Sequence, residues 1–413
     1  MPDLAIVHAG QLATCDGDGV EAEDRLGLLE DGALLVDNGK VTWVGTSKEL
    51  SRRSFGKPRR TLDAGGRLVT PGFVDPHSHL AFAGSREEEL ERKISGESYT
   101  KILKSGGGIL RTMRETREAS AEKIADESGE RVKQLLMNGV TTVEVKSGYG
   151  LDLKSELKLL DAIGRLQKRS PIELIPTFLG LHARPPEFRT NDEFVKYSLR
   201  KMLPAVAQSA ARPRFSDCFC EEGVFSRDDC MKYLRVSREL GFACKIHADE
   251  FSDSGGASLA AEARCVSAEH LGKSDHAGIE SMANAGVVAV LLPGTSFYSS
   301  IPYAEAQFIA QSGCTVALGT DLSPNSWVEA PQFVMSLACS GMRMTPAQAL
   351  LAHTRGAAAA VARDDLGTLS VGSQADFVIH SYTDYRFIPY RAGGRYVRSV
   401  FKRGREIYRF EEP

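Results

Sequence analysis

The 413-residue chain has no apolar run near the roughly 18 residues that span a bilayer; its longest notable one is Val287–Leu292. Its opening, MPDLAIVHAGQL, lacks the basic start and apolar core of an export signal. A cytoplasmic, enzyme-sized protein with no membrane partner is therefore expected. Neither sign of charge dominates: 51 Lys and Arg against 54 Asp and Glu leave −3, so the basic footprint of a nucleic-acid binder is missing. The eight cysteines are scattered, and the closest pair, Cys218 and Cys220, has CxC rather than CxxC spacing. Reduced thiols filling core space are expected. There is no internal repeat, low-complexity stretch or charged tail. What remains is 42% hydrophobic and 25% charged, which excludes chain-wide disorder, and the 39 glycines suggest many tight loops.

The chain divides into three regions. Up to about residue 65 it reads as short strands (Leu4–His8, Ala33–Val36, Lys40–Val44), with Asp37-Asn38-Gly39 as a hairpin turn and one short helical piece near Ser47–Phe55. From about 70 to 365, strand-like runs alternate with helical stretches. The runs are Leu68–Phe73, Thr141–Val145, Ile172–Phe178, Arg214–Phe219, Phe242–Ile246, Val287–Leu292 and Thr315–Leu318. Helices are expected over Ala121–Asn138 with Ser120 as cap, Leu153–Gln167, Asp228–Leu240 and Ser254–Ala263, and after the Thr345-Pro346 start signal. Repeated βα units of this length point to an α/β fold, a (β/α)8 TIM-like barrel over 66–369, with a doubly wound open sheet as runner-up. Residues 370–413 return to strands, Ala375–Ile379, Ser399–Lys402 and Glu406–Arg409. Together with residues 1–65 they predict a small composite β-sandwich domain built from both chain ends.

The chemistry concentrates where strands end. Pro71-Gly72-Phe73-Val74-Asp75-Pro76-His77-Ser78-His79 closes an apolar run, and residues two apart on a strand share a face. His77 and His79 can thus present two imidazoles to one ion, with Asp75 on the same side to orient or ligate. His247 ends Cys244-Lys245-Ile246, His270 ends Ser267-Ala268-Glu269, and Asp321 ends Leu318-Gly319-Thr320. An isolated HxH is more often two polar residues at a strand end. Several His and Asp in the same strand-end context, at the mouth where barrels carry their sites, make that blander explanation improbable. Nitrogen and carboxylate ligands without cysteine suit one divalent metal, Zn2+ or Fe2+, in a catalytic site. Gly106-Gly107-Gly108 lacks a following Lys-Ser/Thr, so it reads as a flexible loop rather than a phosphate cradle.

With DPHSH at 75–79, HADE at 247–250, the Glu269-His270 pair and GTD at 319–321, the chain resembles the amidohydrolase superfamily over about residues 60–370. Longer segments sharpen the resemblance to one branch that opens a cyclic amide: His79–Arg86, Ser105–Ile109, Val145–Gly150, Thr177–Ala183, Cys220–Phe225 and Lys245–Glu250. The resemblance implies His77, His79, His247 and Asp321 as ligands of one metal. It implies Arg86, Tyr99, Tyr149 and His182 as the residues that hold a small substrate with a carboxylate tail, and Glu250 and His270 beside the scissile carbonyl. Asp321 would carry the water proton, His270 would stabilise the developing oxyanion, and Glu250 would hydrogen-bond the ring. Arg86 offers a bidentate cation, with Tyr99, Tyr149 and His182 as further donors. Ser323, Asn325 and Ser326 follow the metal Asp. Many family members read Asn-Pro-Gly there, so Ser323 removes a side-chain amide from the substrate wall. Lys146 has two readings: a carbamylated lysine bridging two metals, as in some such barrels, or a lysine that hydrogen-bonds locally or touches substrate, the second being preferred.

Two rival functions are separable. A ring deaminase or another cyclic amidase would share the metal set but leave Arg86, Tyr149 and His182 idle. A non-catalytic barrel would be expected to have lost ligands, and this chain keeps all four. A homodimer is expected for a chain of this size and type.

Overall fold

Glycine 72 is where the chain passes from one sheet to another. A Cβ there would lie 2.4 Å from the Thr141 side chain, and its N–H donates to Asp376 O at 2.9 Å. The run expected as one strand, Leu68–Phe73, is therefore two: the first half joins a mixed sheet and the second begins a barrel. The computed structural model describes residues 1–53, 55–97, 101–102 and 105–411.

The strands, in chain order, are β1 (Leu4–Ala13), β2 (Leu28–Asp37), β3 (Lys40–Thr46), β4 (Arg60–Asp63), β5 (Leu68–Pro71), β6 (Phe73–Asp75), β7 (Val140–Lys146), β8 (Glu173–Leu181), β9 (Phe215–Cys220), β10 (Ala243–Ala248), β11 (Ser267–His270), β12 (Val288–Leu291), β13 (Val316–Leu318), β14 (Phe377–His380), β15 (Val397–Lys402) and β16 (Arg405–Arg409). The mixed sheet runs β16-β15-β14-β5-β1-β2-β3, with β4 also beside β1. Strands from both chain ends thus join in one mixed sheet, and β5 belongs to it rather than to the barrel in which residues from 66 on were expected. Phe377 and Phe401 stack at its centre, with ring centroids 4.3 Å apart.

The second sheet, β6 through β13, is wholly parallel and in sequence order. It closes just beyond the named strands: His79 N–H donates to Leu322 O at 2.9 Å and Asp321 N–H donates to His77 O at 3.0 Å. The barrel expectation holds. Its sixth strand, β11, was not among the expected runs, because four residues reading Ser-Ala-Glu-His carry almost no apolar signal.

The outer helices bury one stripe each. Ile124, Val132 and Leu135 of Ala121–Met137 are buried, and Ser120 Oγ caps that helix by accepting from Lys123 N at 3.1 Å. Asp152 caps Leu153–Arg169 the same way, from Ser155 N at 2.8 Å. Thr345 forms a full capping box with Gln348 ahead of Pro346–Leu351. The helix expected at Ser254–Ala263 is shorter, Gly256–Glu262, and Asp249 rather than Ser254 serves its first turn, accepting from Gly256 N at 2.9 Å and Ala257 N at 3.0 Å. Inside the barrel, Val74, Ile175, Phe215, Val290 and Ala317 pack against Ala357 and Ala358. Above that apolar layer lies a charged one, described next.

Candidate metal centre

Four ligand atoms from three parts of the barrel converge. His77 Nε2 and His79 Nε2 are 3.2 Å apart, and His79 Nε2 and His247 Nε2 are 3.2 Å apart. Asp321 Oδ1 lies 3.3 Å from His77 Nε2 and 3.5 Å from His79 Nε2. Ligands bonded at about 2.0–2.1 Å to a tetrahedral ion lie roughly 3.3–3.4 Å apart, and these four separations are close to that, so the cluster could hold a metal.

The tautomers fit as well. His77 Nδ1 lies 2.8 Å from Glu269 Oε2, at an angle off the ideal hydrogen bond. His247 Nδ1 lies 3.2 Å from Asp217 Oδ1. A carboxylate can only accept, so each ring carries its proton on Nδ1 and turns an Nε2 lone pair into the centre. Lone pairs gathered in a buried space call for a cation.

Backbone strain aims these groups. Asp321 has φ +49°, His270 +76° and Asp249 +54°, all left-handed conformations in non-glycine residues at strand ends. The second oxygen of Asp321 accepts from Thr295 Oγ1. Asp75 does not join the ligands: it accepts from Thr320 Oγ1 at 2.5 Å, from Thr320 N at 3.1 Å and from His77 N at 3.4 Å. Of the two roles open to it, it takes the orienting one.

Burial sets the charge states. Burial pushes the Asp321 carboxyl up, but its bond to His77 and the charges of His77 and His270 win and hold it at about 2. His270 is pulled down to about 3, chiefly by burial. Burial, with Asp321 and Glu221 nearby, raises Glu250 well above the usual carboxyl range. Glu250 Oε2 lies 3.6 Å from His270 Nε2.

On the other side, the His182 ring stacks on His79 at 5.2 Å and lies 5.2 Å from the Tyr149 ring. His182 Nδ1 donates to Gly148 O at 2.9 Å, and burial with the nearby His247 lowers its pKa to about 3. The ring is therefore neutral and its Nε2 is an acceptor, which departs from the donor role expected for it. Arg86 is 7% exposed, and its Nε is buried without a hydrogen-bond partner among the described residues. It is close enough to His182 for its charge to depress that ring further. Ser323 Oγ accepts from Ser326 N at 3.2 Å and so serves its own turn, while Ser326 Oγ is buried without a hydrogen-bond partner among the described residues. Asn325 is half-buried in the same turn. Tyr99 lies outside the described residues.

Several positioning groups escaped the sequence reading. Glu156 accepts from the N–H groups of Gly148, Gly150 and Leu151 at 2.9, 2.7 and 2.8 Å, fixing the loop that carries Tyr149. Glu221 accepts from Phe251 N at 2.9 Å and from Ser252 Oγ, holding the turn after Glu250. Arg131 lies 3.6 Å from the Phe82 ring centroid and 5.2 Å from that of Trp327, tying the segment after His79 to the one after Asp321. Glu144, Asp217, Lys245 and Glu269, all fully buried, sit beneath the centre. The available signal was a charge inside an otherwise apolar strand, as in Val143-Glu144-Val145 and Phe215–Cys220.

The amidohydrolase family model matches residues 83–408. The imidazolonepropionase of Symbiobacterium thermophilum is 46% identical, covering 98% of this chain and 97% of its own length. That of Parabacteroides distasonis is 43% identical, covering 98% of each. Among solved structures, guanine deaminase from E. coli superposes with a TM-score of 0.77 at 17% identity, over 98% of this chain and 99% of that one. The 5-methylcytosine deaminase of Klebsiella pneumoniae gives 0.75 at 17%, over 99% and 98%. At such identity these two share the fold.

Proposed function

The chain belongs to the amidohydrolase family and, within it, to the imidazolonepropionases, and from this premise we propose that it hydrolyses 4-imidazolone-5-propanoate to N-formimidoyl-L-glutamate in histidine degradation. The observation that carries the chemistry is the set of four buried ligand atoms, neighbours in which lie 3.2–3.5 Å apart.

His77, His79, His247 and Asp321 would hold one divalent ion, for which Zn2+ and Fe2+ are equally suited by this donor set. Such an ion, when bound, supplies a Lewis acid that lowers the pKa of a water toward about 7. The protein's own residues move the protons and hold the ring. Water oxygen adds to the ring carbonyl carbon, the carbon–nitrogen bond breaks, and the released nitrogen takes a proton. Asp321, anionic at neutral pH, takes the water proton on a carboxylate oxygen and returns it to that nitrogen. His270, neutral at working pH, donates an N–H to the carbonyl oxygen as charge develops there. Glu250, with its raised pKa, shares a proton with the ring nitrogens. His182 accepts a ring N–H at Nε2. Arg86 takes the propanoate carboxylate in a charge-assisted pair, with Tyr149 and Tyr99 as donors and Ser323, Asn325 and Ser326 as the facing wall.

The proposal places a homodimer in the cytoplasm. Eight free cysteines, seven of them buried, suit a reducing compartment, and no helix among the described residues is long and apolar enough to cross a membrane. The test is turnover of 4-imidazolone-5-propanoate by metal-loaded protein, followed as loss of ring absorbance, with His247→Ala as control. Turnover that vanishes in the control supports substrate and centre together. Metal-loaded protein without turnover overturns the substrate.

A further inference from the structure

Beneath the ligand set, two fully buried lysines meet three fully buried carboxylates. Lys146 Nζ lies 2.7 Å from Asp217 Oδ2, 3.0 Å from Glu144 Oε2 and 3.0 Å from Glu269 Oε2. Lys245 Nζ lies 3.0 Å from Glu144 Oε2 and 3.0 Å from Glu269 Oε1, and donates to Pro76 O at 2.9 Å. Two of these carboxylates also reach the ligand rings: Glu269 contacts His77 Nδ1, and Asp217 contacts His247 Nδ1.

Without the lysines this layer would be a cation site. One oxygen each of Glu144, Asp217 and Glu269 lies within 3.0 Å of the point that the Lys146 Nζ holds. Three buried carboxylates cannot stand uncompensated, and the group in contact with all three is the Lys146 ammonium. We propose that Glu144, Asp217 and Glu269 form a second cation seat that the Lys146 ammonium occupies permanently, so that the centre takes one metal and Lys146 is unmodified. A carbamate on Nζ would replace the cation shared by the three carboxylates with a fourth anion. An incoming divalent ion would need the ammonium to leave a pocket that offers it no water. Lys245 holds Glu144 and Glu269 from below, which fixes the seat's shape whether or not the ammonium is present.

The inference rests on the metal reading of the centre, and the experiment separates the two. Full-length wild type and Lys146→Met are loaded with Co2+, passed through a desalting column and assayed for metal per chain, with circular dichroism and thermal melting as fold controls. The expected result is about one ion per wild-type chain and about two per Lys146→Met chain. A folded Lys146→Met protein that still holds about one overturns the second seat, as does wild type that holds about two. Wild type that holds none overturns the metal reading itself. As a readout that does not depend on the variant's stability, wild type is also exchanged into 13C-bicarbonate and examined by NMR. No carbamyl-lysine resonance is expected, and the appearance of one in wild type overturns the proposal.

Discussion

The Arg86 side chain gives the sharpest test of substrate choice. It is a buried guanidinium whose Nε has no hydrogen-bond partner among the described residues, an arrangement that is unfavourable unless an anion arrives. Arg86→Met keeps the aliphatic stem and removes the charge. A charge-assisted hydrogen bond is worth about 1.5–3 kcal/mol, so losing one or two costs roughly 2–4 kcal/mol of substrate binding. At about 1.4 kcal/mol per tenfold, kcat/KM should fall roughly 30-fold to nearly 1000-fold. The propanoate charge does not change along the reaction, so the loss should appear in KM with kcat little altered. The variant should melt no lower than wild type, because an unsatisfied buried polar group is gone. A ring analogue lacking the carboxylate should be turned over equally by both proteins. Steady-state kinetics on the two substrates, with thermal melts, make the measurement. An unchanged KM for the carboxylate substrate, or an equal loss on the tail-less analogue, would refute the reasoning.

Other expectations concern the supports of the centre. Glu269→Gln removes the anion beside His77 Nδ1 and should weaken metal binding about 10- to 100-fold in competition with a chromophoric chelator; an unchanged affinity would show that the contact is idle. Glu156→Leu leaves three backbone N–H groups without their acceptor and should cost at least about 3 kcal/mol by urea unfolding, together with a raised KM through Tyr149. His380 is wholly buried against Thr70, and burial holds its pKa near 3, against 6.5 when unfolded. The unfolded chain therefore takes up a proton that the folded one refuses, and stability should decline as pH falls below 6.5 by about 1.4 kcal/mol per pH unit from this residue and be level above it. In His380→Gln the acid-side slope should be shallower by that amount, and an identical slope in both proteins would sink the assignment.

The barrel and the clustering of His77, His79, His247 and Asp321 were legible because each of the four follows an apolar strand, and the two-residue spacing of His77 and His79 needs only strand geometry. The mixed sheet was legible from β-branched runs and turn signals at both ends. The division at Gly72 was not, since Leu68–Phe73 is continuously apolar and only the approach of Thr141 shows the change of sheet. Strand β11 was hidden because its residues serve the centre rather than the core. The charged layer was hidden for a related reason: Glu144, Asp217, Lys245 and Glu269 are far apart in sequence, and each alone reads as an exception to burial. Only their mutual distances turn four exceptions into one network. The acceptor role of His182 depends on a bond to Gly148 O that no motif encodes.

The seam of the barrel lies between its first and last strands, and three of the four clustered residues flank it: His77 and His79 on one edge, Asp321 on the other, joined by two backbone hydrogen bonds across a gap of more than 240 residues in sequence. Contacts of that range close a very long loop and carry a correspondingly large closure entropy. A ligand set that straddles it acts as a clasp. Stripping the centre with a chelator should therefore loosen the molecule at one line rather than uniformly. Amide hydrogen exchange should quicken first at His79 and Asp321, while the β9–β10 pair on the far side of the barrel keeps its protection.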